Sequence, residues 1–236
     1  MDEFQTTRWS MVLAAKRGDS AAGRKALAEL CEIYWYPLYV FVRRRAGGEE
    51  ALDLTQGFFA DLLGRNPLAR IDPAAGKFRA FLLASLKNYL SREREKAATL
   101  KRGGDLTHFS LDARRAEERY GEEPRDEQTP ERLFERTWAR TVLDRVADRL
   151  RTEFEDAGKI EQHRALEGFL TQPGRGRGYG EVARDLGTSE AAVKMAVRRM
   201  RKRFGLLLRD EIAQTVSSSQ EVDREIRHLL SVARDS

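Results

Sequence analysis

The chain has 236 residues, a formal net charge of +5 and a sequence pI of about 9.4. Its length allows one large or two small domains, and 34% charged residues favour small helical domains over one large enzyme core. A single cysteine, Cys31, excludes an intrachain disulfide and a thiolate zinc cluster, and we expect it to be a small buried residue. The sequence shows neither a signal-peptide pattern nor a membrane-spanning apolar run, so we expect a cytoplasmic protein without a membrane partner.

Helical spacing of apolar residues predicts a helical domain over residues 1–99. A short helix is predicted over residues 8–17, followed by a longer helical run over 21–45 that Pro37 should kink or divide. The run YWYPLYVFVRRR, residues 34–45, is rich in aromatic side chains. We interpret these as core, with the three final arginines complementing a helix C-terminus.

Residues 49–64 predict a helix with two different faces. The apolar face consists of Leu54, Phe58, Phe59, Leu62 and Leu63. The opposite face includes Asp53 and Gln56, and it is small and polar enough to dock another protein. A loop with two prolines is predicted over residues 66–76.

Residues 77–98 predict a long helix whose character changes along its length. Its apolar positions are Phe78, Phe81, Leu82, Leu86 and Leu90. Its second half is polar and basic, with Lys87, Asn88, Tyr89, Arg92, Arg94 and Lys96. Such a face suits nucleic acid, because aromatic rings stack on bases and amides read base edges. The alternative is a solvated helix held by Glu–Arg pairs, which Glu93 and Glu95 would supply.

Residues 100–130 are polar and contain proline, and they predict a flexible linker that is partly helical at most. A second domain is predicted over residues 131–210. Its first helix begins with Thr129 as N-cap and Pro130 at the first position, and runs to about Phe154.

The remaining chain predicts further helices and no strands. One helix is expected over residues 160–170, followed by a flexible basic loop over 172–178. Residues 211–236 predict a tail with an amphipathic helix over 221–232, which could cover the second domain or bind a regulator. The expected fold class is all-α, with two helical domains joined by a flexible linker.

The stretch YGEVARDLGTSEAAVKMAVRRMRKRF, residues 179–204, has the pattern of a helix-turn-helix. Gly187 is the left-handed residue that ends the first helix, and Ser189 is the N-cap of the second. The second helix carries an apolar stripe of Val193, Val197, Met200 and Phe204, with its predicted end near Leu208. Its other faces carry Lys194, Arg198, Arg199, Arg201, Lys202 and Arg203. Such a helix can lie in a DNA major groove, and the alternative is a basic surface helix beside a core.

In these stretches the chain resembles the sigma subunits of bacterial RNA polymerase, specifically the short extracytoplasmic-function type. The run YWYPLYVFVRRR is similar to the family's first core helix, and EEALDLTQGFFADLL to the helix that docks on the polymerase clamp. KFRAFLLASLKNYLSRERE is similar to the helices that melt and read the minus-ten element. The helix-turn-helix, with its G-x-S-x-x-A-V-K pattern, is similar to the domain that reads the minus-thirty-five element. The resemblance covers roughly residues 24–99 and 138–208.

The resemblance implies a role for individual residues. Asp53 and Gln56 would contact the polymerase clamp. Contacts to the minus-ten strand would come from Asn88, Arg92 and Arg94. Contacts to the upstream element would come from Ser189, Lys194, Arg198, Arg199 and Arg201. The implied partners are core RNA polymerase and promoter DNA, with an anti-sigma factor or a Ser/Thr kinase as candidate regulators, and no cofactor.

The clamp-like helix departs from the family's usual acidic pattern, because Leu52 and Gly57 stand where acidic residues are common. Thr55 lies in the middle of this helix, and its phosphorylation would add about −1.5 to −2 charges. We therefore consider Thr55 a candidate phosphosite. The alternative is a buried core threonine, because the helical period places Thr55 on the apolar side.

Two other functional classes are alternatives to a sigma factor. One is a free-standing helix-turn-helix regulator whose first domain dimerises or senses a ligand. Such a regulator would not need the D-L-x-Q helix followed by the helix over 77–96. The other class is an enzyme. The three histidines have no carboxylate or cysteine constellation around them, and no phosphate-binding loop is present, so we expect no enzymatic activity.

Overall fold

A computed structural model describes residues 21–64, 77–99, 120, 129–171, 177–216 and 218–234. In these ranges the secondary structure is helical apart from an isolated bridge between Lys77 and Val216, which confirms the all-α class. The helices are α1 Ala21–Ala46, α2 Gly48–Gly64, α3 Phe78–Thr99, α4 Pro130–Asp156, α5 Ile160–Leu166, α6 Gly168–Thr171, α7 Tyr179–Asp185, α8 Glu190–Ala213 and α9 Ser219–Arg234. The predicted helix over 8–17, the loop over 66–76 and most of the predicted linker lie outside the described residues. None of the helices described here has the length and apolar character needed to cross a membrane.

The chain divides into two compact units. The N-terminal unit combines Met1–Thr141 with Ile212–Ser236, and the second unit is Val142–Glu211. One unit boundary falls within α4 and the other within α8. The predicted tail therefore groups with the N-terminal residues, whereas the sequence-based boundaries at 99, 130 and 210 followed changes in composition.

The long helix α1 forms the centre of the N-terminal unit. Residues 33–42 are all buried, including the aromatic side chains that the sequence assigned to the core. The sequence predicts that Pro37 kinks the helix or divides it; the helix runs through Pro37 as one element, so the division into two helices is wrong. Pro37 removes one backbone donor, but a helix that is buried on all sides is held in place by the neighbours that pack on it. Cys31 is buried as expected, and burial followed by the charge of Glu32 raises the pKa of its thiol.

The connection between α1 and α2 is the single residue Gly47. Its φ of 91° lies in the left-handed region, which glycine adopts without steric cost. Its N–H donates to the carbonyl of Arg43 at 3.2 Å. The predicted apolar face of α2 is buried at Phe58, Phe59 and Leu62.

The C-terminal helix α9 packs in the N-terminal unit around a buried charge cluster. Glu225 has a side chain only 1% exposed; its Oε2 forms an ion pair with Lys77 Nζ at 2.7 Å, and its Oε1 accepts from Arg79 Nε at 2.9 Å. Arg79 also pairs with Glu135, and its guanidinium lies 4.5 Å from the ring centroid of Trp138. Burial alone would raise the pKa of Glu225, but the charges and hydrogen bonds of Arg79 and Lys77 hold it below the usual value. The tail helix is therefore a packed part of this unit.

The second unit is a small helical domain. Its core consists of Val142, Val146, Leu150, Leu166, Val182, Ala183, Val193, Val197 and Met200. The helix that the sequence predicted over 160–170 is divided into α5 and α6, with the break at Glu167. Gly168 follows the break, and glycine is the weakest helix former after proline. At the start of α4, a part of the helix that belongs to the N-terminal unit, the Thr129 hydroxyl accepts from the Arg132 N–H at 3.3 Å, which confirms the predicted N-cap.

Candidate nucleic-acid interface

Helices α7 and α8 are joined by a tight turn that has the geometry of a Schellman motif. Gly187 has a φ of 61°, which confirms the predicted left-handed residue. The N–H of Thr188 donates to the carbonyl of Ala183 at 2.9 Å, and the N–H of Gly187 donates to that of Arg184 at 3.3 Å. These two bonds satisfy carbonyls that the end of α7 would otherwise leave open.

The start of α8 is fixed by a side-chain cap. Ser189 Oγ accepts from the Ala192 N–H at 3.2 Å, so the predicted N-cap is confirmed. Glu190 adds an acidic residue in the first turn, where negative charge is favourable next to the helix dipole. Because its hydroxyl oxygen accepts this capping hydrogen bond, the role that the structure gives Ser189 is to fix the start of α8.

The buried face of α8 follows the predicted apolar stripe. Val193, Val197 and Met200 are each no more than 2% exposed, and Phe204 is half-buried. The stripe continues through Leu207 and Leu208, and the helix ends at Ala213 rather than near Leu208. This packing leaves the basic faces of α8 in solvent.

The predicted DNA-contacting residues of α8 are all exposed, but two of the cations already have partners. Lys194 Nζ lies 2.6 Å from Glu190 Oε1 and 5.5 Å from the ring centroid of Tyr179. The hydrogen bond to Glu190 is the main reason that the pKa of Lys194 is raised. Arg201 donates to the backbone carbonyl of Phe169 at 2.9 Å.

Three other cations of α8 are both exposed and unpaired. Arg198, Arg199 and Lys202 form no hydrogen bond or ion pair within the described ranges. By contrast, Arg203 makes a two-pronged bond to Glu153, with distances of 2.7 and 2.6 Å. The unpaired cations are those most available to phosphate oxygens, which position a protein on DNA.

Arg199 lies on a different side of α8 from the other two. It lines a groove between α5 and α8 together with Lys159 and Gln162. The Lys159 ammonium and the Gln162 amide lie beside α8, so they can contact a DNA phosphate at the edge of the major groove that α8 would enter. Sequence reasoning did not single out Lys159 or Gln162, because the N-cap and first turns of α5 contribute them from a distant part of the chain.

Met195 is the large apolar side chain that sequence reasoning missed. It is 49% exposed, on the side of α8 opposite the buried stripe. Ala191 lies one turn before it and Arg198 one turn after, so the three residues share one outward line. The helical spacing alone could have revealed this position.

In the N-terminal unit, the three residues assigned to the minus-ten element are exposed on α3. Asn88 and Arg92 are four residues apart and share a face, whereas the helical period places Arg94 on another side. Arg92 is also paired with Asp61 of α2 at 3.2 Å. The structure therefore brings Asn88 and Arg92 together but leaves Arg94 separate.

Tyr89 is not available to stack on bases. It is 8% exposed, and its ring lies 5.8 Å from that of Phe58 in an edge-to-face arrangement. Its hydroxyl lies against Gly57, where a Cβ atom would collide with it. Burial, followed by the charges of Glu93 and Asp61, raises the pKa of Tyr89 to about 12. Its assignment to a nucleic-acid face is wrong, because it packs α3 on α2.

The clamp-like face of α2 is only partly open. Asp53 is exposed and Gln56 is half-buried. Thr55 is fully buried, and its hydroxyl donates to the Ala51 carbonyl at 2.7 Å. In this conformation a kinase cannot reach Thr55, which corrects the phosphosite hypothesis in favour of the buried core threonine.

The described histidines have structural neighbours. His163 is buried with its ring 5.3 Å from that of Phe154, and burial lowers its pKa. His228 lies 2.8 Å from Glu135. Within the described ranges, no group of three His, Cys, Asp or Glu side chains could hold a metal ion.

The candidate interface is thus a helix-turn-helix with a fixed turn and a basic outer face, in the second unit. The second helix presents unpaired Arg198 and Lys202 beside an exposed methionine. This arrangement is suited to the major groove of a DNA duplex. Comparisons of the chain with protein-family models, with curated proteins and with solved structures found no match.

Proposed function

We propose that the chain is a promoter-specificity subunit of bacterial RNA polymerase, of the extracytoplasmic-function sigma type. It binds core polymerase through its N-terminal unit, recognises an upstream promoter element with α8 and helps to open the duplex. The observation that carries the proposal is the capped helix α8 behind a Schellman turn, with its apolar stripe buried and its cations exposed.

The N-terminal unit supports polymerase binding over a free-standing regulator. Asp53 is exposed on α2, next to a half-buried Gln56 in the D-L-x-Q pattern. Helix α3 presents Asn88 and Arg92 at positions where a single strand could be bound. A simple regulator would have no use for a docking helix followed by such a basic helix.

The chemistry of α8 suggests how affinity and specificity are divided. Contacts from Arg198, Arg199 and Lys202 to phosphates give affinity that falls steeply with salt and does not depend on sequence. Specificity comes from contacts to base edges in the groove, where a good bidentate contact discriminates by about 1–3 kcal/mol. Core polymerase adds a second set of contacts on the same chain, which raises the effective affinity.

The test is in vitro transcription with purified bacterial core polymerase and a promoter library. We expect the full chain to co-purify with the core enzyme and to direct initiation from a subset of promoters. If the chain binds library DNA specifically but neither co-purifies with the core enzyme nor directs initiation, it is a free-standing regulator instead.

Two substitutions separate the two proposed contacts. Arg198→Ala should weaken promoter recognition and leave core binding unchanged, whereas Asp53→Ala should weaken core binding. Arg224→Ala, which removes an exposed arginine from α9, is the matched control and should change neither. Loss of core binding in the Arg198 variant would show that α8 contacts polymerase rather than DNA.

A further inference from the structure

Met195 is an unusual residue for the outer face of a basic helix. It is 49% exposed and lies in the first half of α8, where helix-turn-helix proteins contact base edges. Two of the neighbouring polar candidates are already engaged, because Ser189 caps the helix and Lys194 pairs with Glu190. Met195 is the exposed large apolar side chain at this level of the helix.

We propose that Met195 contacts the 5-methyl group of a thymine in the upstream promoter element. The inference rests on the proposed function, since it assumes that α8 enters the major groove. Among the base edges of that groove, the thymine methyl is the apolar feature. Methionine is flexible and polarizable, and it adapts to a small apolar group whose position varies slightly.

The surroundings of Met195 favour DNA over a protein partner. Arg198, Arg199 and Lys202 lie within two turns of Met195 and have no partner in the described ranges. An apolar protein surface that covered Met195 would bury these charges without compensation, whereas DNA supplies phosphates for them.

The exposed apolar residues of α8 do not form a patch large enough for a protein. Leu206 is 50% exposed, but it lies 11 residues along the helix from Met195, which corresponds to about 16 Å. Apart from Gly205, the exposed positions between them are occupied by basic residues. A single large apolar side chain next to cations matches one methyl group on a polar groove floor.

The test removes the methyl group alone. A promoter is first selected from a library with polymerase that carries the wild-type chain. Each thymine of its upstream element is then replaced, one at a time, by deoxyuridine, and binding of the loaded polymerase is measured by competition. At one position we expect a loss of about fourfold, which corresponds to about 0.8 kcal/mol for one buried methyl.

Variants of Met195 identify the residue that reads the methyl. Polymerase loaded with the Met195→Ala chain should bind promoters with thymine or deoxyuridine at that position equally well. Polymerase loaded with the Met195→Leu chain should retain most of the preference for thymine. Leu206→Ala is the matched control, because it removes an equally exposed apolar side chain from the same helix and should leave the discrimination unchanged. Since both positions are exposed, thermal unfolding should match that of the wild type.

Several outcomes would overturn the inference while leaving the proposed function standing. They are an upstream element selected without thymine, a loaded polymerase that is insensitive to every replacement, and discrimination that persists in Met195→Ala. Loss of core binding in Met195→Ala would assign the residue to a protein contact instead. If the chain directs no initiation at all, the proposed function fails and the inference fails with it.

Discussion

Replacing Glu225 with glutamine should destabilise the N-terminal unit more than any exposed acid-to-amide change. Glu225 is 1% exposed and is bonded to Lys77 and Arg79, whose side chains are 30% and 11% exposed. Removing one partner of a buried ion pair costs about 3–5 kcal/mol. Glutamine has nearly the shape of glutamate, and Arg79 retains its ion pair with Glu135. We therefore expect a loss at the lower end of this range, about 3 kcal/mol.

The assay can follow this unit by itself. All three tryptophans of the chain lie before residue 142 and so belong to the N-terminal unit. Urea denaturation followed by tryptophan fluorescence therefore reports on this unit, while far-UV circular dichroism reports on both. Glu32→Gln makes the same chemical change at an exposed position of α1, and it should shift stability by less than about 0.5 kcal/mol.

The difference in the free energy of unfolding between the wild type and Glu225→Gln should depend on pH. The pKa of Glu225 is held below its unfolded value, so its contribution is complete above about pH 4.3 and is lost as the pH falls through the folded pKa. This difference in the free energy of unfolding should therefore be constant from pH 7 to about 5 and should decrease in more acidic solution. A Glu225→Gln protein as stable as Glu32→Gln at pH 7 would refute the reasoning.

Three further predictions concern packing. Gly187→Ala places a Cβ at a φ of 61° and should destabilise the second unit by about 1–2 kcal/mol; circular dichroism should report the loss and tryptophan fluorescence should not. Gly57→Ala drives a methyl into the Tyr89 hydroxyl and should cost about 1–3 kcal/mol, part of which Tyr89→Phe should restore in a double-mutant cycle. Thr55→Val should cost less than about 1.5 kcal/mol, because one buried hydrogen bond is lost. Thr55→Glu should lower the free energy of unfolding far more, by over about 3 kcal/mol in urea denaturation, and equal stability would show that Thr55 is accessible.

The helix-turn-helix could be predicted from the sequence because its determinants are local. A left-handed glycine, a serine cap and an apolar residue at every third or fourth position specify the turn and the buried face within 26 residues, 179–204. The pairing of Lys194 with Glu190 is equally local, since the two are four residues apart. In contrast, the bonds from Arg201 to Phe169 and from Arg203 to Glu153 join distant segments, which no local pattern specifies.

The incorrect assignments of Tyr89 and Thr55 arose where the amino-acid composition of a segment was given more importance than the helical spacing of its apolar residues. Tyr89 lies three residues after the buried Leu86, so the helical spacing places it on the apolar face, yet its basic neighbours suggested a nucleic-acid surface. The same spacing favoured a buried Thr55. The position of α9 could not be predicted at all, because the bond from Arg79 to Glu225 spans 146 residues.

The burial of Cys31 has a practical consequence for following this protein at work. The thiolate is the reactive form of cysteine, and burial keeps the only thiol of this chain both protonated and shielded. A maleimide dye would therefore react with a cysteine introduced on the surface, for example at Arg224, and leave Cys31 unmodified. Site-specific labels can thus be attached without altering the native core, and single-molecule fluorescence of the labelled chain can test the proposed binding to polymerase and to promoter DNA.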